Sequence, residues 1–266
     1  MTRRTAGSAG SPNASAHSCT SPTSIMRSAT APPVPSTGLS SGGRGGASDL
    51  IAIGGRRCDG GCVGEDPDRP VRVAEAFADA YADQPPWEIG RAQPALVGAA
   101  DRGLMAGHVL DVGCGTGEHA LLAASRGLAA TGVDVVPEAI RQARQKAAAR
   151  RLDVRFEVGD ARDLRALREV YDTVVDCGLL HVLGPPDEAR YVAELREVLR
   201  PGGVVLVLCV SDRTPGDAGP RRMSRADIDH AFADGWTVES VEATSIEVAH
   251  GWDDTVHAWL AVIRRD

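Results

Sequence analysis

Lysine is nearly missing from this chain: Lys146 is the only one, against 28 arginines among 266 residues. That imbalance reads as a GC-rich codon bias more than a functional choice. Acid is missing from the first 48 residues, which hold Arg3, Arg4, Arg27 and Arg44 but no Asp or Glu. The remainder therefore carries 25 − 36 = −11. So acidic a domain lacks the clustered cations that phosphate backbones attract, which argues against a nucleic-acid partner. No apolar run approaches the roughly 20 residues of a membrane span. No apolar stretch follows Arg3-Arg4 to make them an export signal. The six cysteines (19, 58, 62, 114, 177 and 209) include no second pair to match Cys58 and Cys62, which argues against a zinc site. No set of acids is spaced for a divalent metal, and none is expected. Cys114, Cys177 and Cys209 fall in or beside predicted strands, where a reduced thiol behaves as a small hydrophobe. The protein reads as reduced and cytoplasmic.

Large apolar residues are scarce up to about residue 68, where Ser, Gly, Ala, Pro and Thr dominate. Such a segment buries too little surface to offset its ordering entropy, so residues 1–68 read as a disordered tail. A transit peptide, or a start codon placed too far upstream, are the alternatives. The pattern changes over 69–266. Val109-Leu110-Asp111-Val112 is a short buried strand, followed by Gly113, Gly115 and Gly117 and then a helix over Ala120–Ala124 that Gly127 stops. Further strands are predicted over 129–133, 154–158, 171–175 and 204–210. They alternate with helices over 137–152 and 188–199, the second ending in the Pro-Gly-Gly turn 201–203. A helix capped by Ser224, running through Ala233, precedes two closing strands over 236–248 and 255–263. Strands alternating with helices predict an α/β protein: a doubly wound sheet with helices on both faces. A strand that ends in glycines under a helix N-terminus is a cofactor cradle in such folds.

Spacing selects the cofactor. The dinucleotide fingerprint is G-x-G-x-x-G, and Glu118 occupies its third-glycine position here. An acid there is expected to face a pyrophosphate and repel it. Asp111-x-Gly113-x-Gly115-x-Gly117 resembles motif I of the class I S-adenosylmethionine (SAM) dependent methyltransferases. That resemblance covers about residues 70–266. It implies a seven-stranded Rossmann-like sheet of order 3-2-1-4-5-7-6 with the last strand antiparallel, SAM as cofactor, and a cradle of Asp111, Gly113, Cys114, Gly115 and Gly117. Asp134 and Val135, at the tip of the second strand, imply the ribose site. Asp134 at this place can also be a helix N-cap ahead of Pro137. Asp160 and Ala161 imply the adenine corner, although Asp160 can simply stabilise a turn. Asp176 and Cys177 begin Asp176-Cys177-Gly178-Leu179-Leu180-His181, which resembles motif IV, the region flanking the methionine moiety and the transferred methyl. Leu199-Arg200-Pro201-Gly202-Gly203 ahead of an apolar strand recurs in the same family.

Ahead of motif I, Val73, Ala76, Phe77 and Tyr81 line one face of a predicted helix over 71–83. It runs into Pro85-Pro86-Trp87-Glu88-Ile89-Gly90, and Pro94 opens a second helix to about Met105. Pro-Trp-(Asp/Glu)-x-Gly-x-x-x-Pro resembles the thiopurine and halide/thiol methyltransferase group. There this element folds over the site with its tryptophan against the methionine end, so residues 70–105 are read as a helical lid and Trp87 as a cofactor contact. Gln84-Pro85-Pro86-Trp87 lacks the Asn or Asp of the motif used by methylases of nucleobase amino groups. The acceptor is expected to be a small molecule with a nucleophilic S, O, N or halide, attacked in line. His181 is the candidate base, its imidazole pKa suited to the task; its other reading is a pocket-lining or capping residue. His119 is expected to support the glycine loop or the cofactor's carboxylate. A SAM-binding regulator without turnover and an NAD-linked oxidoreductase are the competing readings.

Overall fold

The computed structural model describes residues 77, 78, 80, 81, 85–216, 219–249 and 256–266. The predicted tail, residues 1–68, lies outside them, as does most of the helix expected over 71–83. Phe77, Ala78, Ala80 and Tyr81 are helical. The first named helix, α1, spans Pro94–Asp101, with proline at its opening position. Then follow β1 (His108–Val112), α2 (Glu118–Ser125), β2 (Ala129–Asp134), α3 (Pro137–Arg150) and β3 (Arg155–Val158). A 3-10 turn over Ala161–Leu167 leads to β4 (Tyr171–Cys177), and a second over Leu180–Val182 leads to α4 (Pro185–Val198). The chain closes with β5 (Leu199–Val210), α5 (Arg225–Ala231), β6 (Trp236–Ile246) and β7 (Val256–Arg265).

The sheet has the order β3-β2-β1-β4-β5-β7-β6. The first five strands are parallel, and β7 runs antiparallel to β5 and β6. Because side chains alternate along a strand, β5 feeds both faces. Val205, Val207 and Cys209 join one core with Tyr191, Leu195, Ile228 and Phe232 from α4, α5 and the end of α5. Leu206 and Leu208 join the other with Leu96, Leu121 and Ile140 from α1, α2 and α3. Burial on both faces is why the central strands read as continuous apolar runs.

The turn expected at 200–203 is corrected. α4 stops at Val198, Leu199 already pairs with Tyr171, and the register shifts before Thr173 meets Val204. The Pro-Gly-Gly stretch is thus an irregularity at the start of β5, with Gly202 at φ +77°. Gly203 is needed because a Cβ there would stand 2.7 Å from Leu199 Cγ. Ser224 caps α5 as expected, in a reciprocal capping box with Asp227.

Candidate active site

The carboxyl ends of β1, β2 and β4 lie side by side and carry Asp111, Asp134 and Asp176. Open parallel sheets bind ligands at this edge. Gly113, Gly115 and Gly117 follow β1 with φ of +63°, +52° and +86°. At two of them the reason for glycine is steric. A Cβ on Gly117 would stand 2.5 Å from Phe156 Cζ and 3.0 Å from Ala143 Cβ, so bare backbone lets α2 settle between β3 and α3. A Cβ on Gly115 would stand 2.8 Å from the Tyr81 hydroxyl, which arches over the loop.

Asp111 is buried, and its Oδ2 accepts the Ala120 N–H at 3.0 Å, tying β1 to the first turn of α2. Burial raises its carboxyl to about 8, with Asp134 and Asp176 adding to the rise. Asp134 is 8% exposed; Oδ2 accepts the Gly115 N–H at 2.8 Å and Oδ1 the Val136 N–H at 2.9 Å. It is not the N-cap of α3, a position held by Val136. With Val135 as a further backbone donor, part of the carboxylate's acceptor capacity is left for a ligand hydroxyl. Burial raises this carboxyl too. Cys114 donates its N–H to Val133 and is buried, so it shapes the loop from below. Val135 packs in a small cluster with Phe77, Ala78, Tyr81, Val136 and Ala139.

At the adenine corner, Asp160 accepts the Arg162 N–H at 2.8 Å and pairs with the Arg162 side chain, which also reaches Asp187 at 2.9 Å. Burial works against its charge, but Arg162 holds the carboxyl below its usual range. Asp160 therefore stabilises the turn as an ionised carboxylate. Ala161 opens the 3-10 turn behind it.

Two of the expected site residues at and after β4, Asp176 and His181, bond backbone amides. Asp176 is fully buried, and its carboxylate is taken by the Leu179 and Leu180 N–H groups and the Tyr191 hydroxyl (2.9 Å). These bonds tie it to the motif IV loop, and burial raises it to about 6. Cys177, half-buried beside it, is the strand's last residue. His181 is 7% exposed, and its Nδ1 accepts the Val210 N–H at 3.0 Å, while the ring also hydrogen-bonds the Gly178 backbone. Burial, then Arg221 and Arg222, push its imidazole down to about 3. With Nδ1 accepting, the neutral ring carries its proton on Nε2 and has no lone pair to offer there. His181 thus bridges the motif IV loop and the end of β5. His119 bonds neither the glycine loop nor a ligand group: its Nε2 accepts the N–H of Gln93, the N-cap of α1, at 3.2 Å, and burial pushes it down to about 4.

Trp87 donates its indole N–H to the Tyr81 hydroxyl at 3.4 Å and meets the Tyr81 and Phe77 rings edge-on. Tyr81 stands between Trp87 and the glycines. No motif marked it; only its place on a helical face with Phe77 pointed to it. Glu118 also departs from expectation. Its carboxylate turns to Lys146 (2.8 Å) and Arg150 (2.7 Å) on α3, away from the mouth of the loop. Gln93 and Glu247 exchange two hydrogen bonds, and Ala249 donates to Pro86, so the 85–93 elbow is stitched to the tip of β6.

Residues 109–203 match the family described as Methyltransferase domain. The chain is 32% identical to 2-heptyl-1-hydroxyquinolin-4(1H)-one methyltransferase of Mycobacteroides abscessus, over 60% of this chain and 72% of that protein. It belongs to the class I SAM-dependent methyltransferases. A structure solved in work on the conversion of a disulfide bond into a thioacetal group during echinomycin biosynthesis is 38% identical. That match covers 73% of this chain and 93% of the other, with a TM-score of 0.66. The demethylmenaquinone methyltransferase of Deinococcus radiodurans is 36% identical, over 46% of this chain and 48% of its own length. Among the described residues, no helix is long and apolar enough to cross a membrane.

Proposed function

We propose that this enzyme methylates a small molecule at a heteroatom that ionises without help from a protein base, working in a reducing cytoplasm. The observation carrying this reading is the sequestration of both site histidines, His119 and His181, in neutral, hydrogen-bonded positions. SAM supplies an electrophilic methyl on a cationic sulfur. An anionic acceptor displaces it in line, so charge is dispersed in the transition state and a dry, aligned site is what the protein has to contribute. Asp134 receives the ribose hydroxyls on its spare lone pairs, and Asp160, held ionised by Arg162, accepts from the adenine amine. Asp111 and the glycine loop hold the amino-acid end, and Tyr81 with Trp87 roofs it with aromatic faces that favour a nearby cation. Residues 70–105 form the lid, and 69–266 the catalytic domain.

The relatives point the same way. One acts on a 1-hydroxyquinolinone, whose N-hydroxyl is acidic, and the other is associated with a sulfur conversion. N-hydroxy heterocycles, phenols and thiols are therefore the acceptors to test first. The narrower likeness to the thiopurine and halide/thiol group rests on the Pro-Trp element alone, and a halide belongs in the same panel. The experiment is transfer from radiolabelled SAM to these compounds by wild type and Asp134→Ala. Turnover of an acidic acceptor that disappears with Asp134→Ala supports the proposal. Turnover confined to acceptors that stay protonated at the assay pH refutes the unaided ionisation. Tight SAM binding without turnover of any acceptor favours a regulator.

A further inference from the structure

The one lysine of the chain sits where the cofactor loop, its helix and the elbow meet. Lys146 Nζ, on α3, donates to Thr116 Oγ1 at 2.5 Å, to Glu118 Oε1 at 2.8 Å and to Glu88 Oε1 at 3.4 Å. Thr116 lies within the glycine loop and donates its hydroxyl to Glu88 Oε2. Glu88 Oε1 also accepts the Gly90 N–H at 3.0 Å, so the carboxylate is fixed to its own elbow. An ammonium has three donors in a compact tetrahedral head, and here three acceptors from three segments converge on it. A guanidinium is a wider planar fork and cannot place its donors in that way. In a chain that otherwise uses arginine 28 times, this is the position where arginine fits poorly. The side chains are partly withdrawn from water, at 26% exposed for Lys146, 16% for Glu88 and 7% for Glu118, so the contacts are weakly screened.

We infer that Lys146 is a positioning residue that seats the 85–93 elbow on the glycine loop, and with it Trp87 over the cofactor. It touches neither cofactor nor acceptor. It acts through Thr116 and Glu88, and so joins the order of the cofactor loop to the seating of the 85–93 elbow. The inference rests on the reading of the elbow as a cover for the SAM site, and two measurements keep the two ideas apart.

The first is lysine-directed acylation of the protein without cofactor, quantified on the peptide that carries Lys146. Glu88→Ala and Thr116→Val each remove one acceptor of Nζ while Glu118 remains, so each is expected to raise its rate about threefold over wild type and the double variant about tenfold. Unchanged rates in both variants overturn the latch, whether or not SAM binds. The second is calorimetric titration with SAM. Lys146→Met is expected to weaken binding at least about tenfold, and Lys146→Met combined with Glu88→Gln to be no weaker than Lys146→Met alone. Lys146→Arg should recover only part of the loss. Arg150→Met, which removes a neighbouring pair to Glu118 but leaves Thr116 and Glu88 alone, should stay within about threefold of wild type. Wild-type affinity in Lys146→Met, or fully additive losses, overturn the inference. A wild-type protein that binds no SAM would bring down the cofactor reading, and the acylation rates would still decide the latch.

Discussion

Substituting His181 separates a clamp from a base. The side-chain oxygen of asparagine reaches the place of the imidazole Nδ1, so His181→Asn can still accept the Val210 N–H while it loses the far ring nitrogen. His181→Leu roughly preserves volume but leaves that buried amide without a partner. An orphaned buried donor costs about 1–3 kcal/mol, and in a domain of this size each kcal/mol lowers the melting temperature by roughly 2–4 °C. His181→Leu should therefore melt about 2–12 °C lower than wild type, and His181→Asn within a few degrees of it. A general base contributes roughly 10²–10⁴ in rate. If His181 only clamps, His181→Asn keeps kcat within about fivefold, a small effect on that scale. The pH–rate profile should also show no His181 inflection between pH 5 and 8, since its imidazole lies at about 3. The assay is methyl transfer at saturating SAM beside thermal unfolding of the same samples. A hundredfold loss in His181→Asn at an unchanged melting temperature would refute the clamp and return His181 to the chemistry.

Protonation makes a second prediction. Asp111 has a folded-state pKa of about 8, above its unfolded value, so its contribution to stability is full at low pH and fades as pH rises through 8. His119 and His181 are depressed to about 4 and 3, so theirs is complete above about 6.5 and fades as pH falls. Asp176, at about 6, has largely finished titrating by pH 6.5. Between pH 6.5 and 8 the cofactor-free protein should thus lose on the order of 2 kcal/mol. Asp111→Asn should flatten that decline in thermal unfolding, and a decline that persists in the variant would contradict the assignment. Gly117→Ala adds a Cβ against Phe156 at a φ of +86° and should cost about 2–4 kcal/mol in denaturant unfolding; a near-neutral result would mean the loop is looser than described. Asp134→Ala frees the Gly115 N–H and removes the diol acceptor. SAM affinity should fall about a hundredfold by calorimetry, and a loss below about fivefold would remove Asp134 from the ribose site.

The sheet was legible because its central strands are short apolar runs bounded by Gly, Pro or Asp, and because motif I marks where the series begins. Element ends were less so. Leu199 has the same side chain whether it ends a helix or starts a strand, and its pairing with Tyr171 decides between them. Positions of the site residues along the chain could be read, but their directions could not. Asp176 and His181 occupy the expected edge, yet both turn inward, because a buried loop must satisfy its own amides before it can spare a side chain for a ligand. Glu118 was placed correctly in order and wrongly in space: the partners that draw it toward α3, Lys146 and Arg150, are 28 and 32 residues away. Lys146 itself looked like an accident of composition until its three acceptors were known.

The stitch between the elbow and the tip of β6 sets a timetable for biosynthesis. Gln93 and Glu247 are 154 residues apart, and neither can find the other until the second has left the ribosome. At about 5–20 residues per second, that delay is roughly 8–30 s. The β1–β2 cradle and the Lys146 contacts to the elbow have their partners early, but the Gln93–Glu247 stitch waits for the last hairpin. A nascent chain would thus hold the β1–β2 floor while the elbow above it still lacks this anchor, and a ligand present during translation would meet that half-built pocket first.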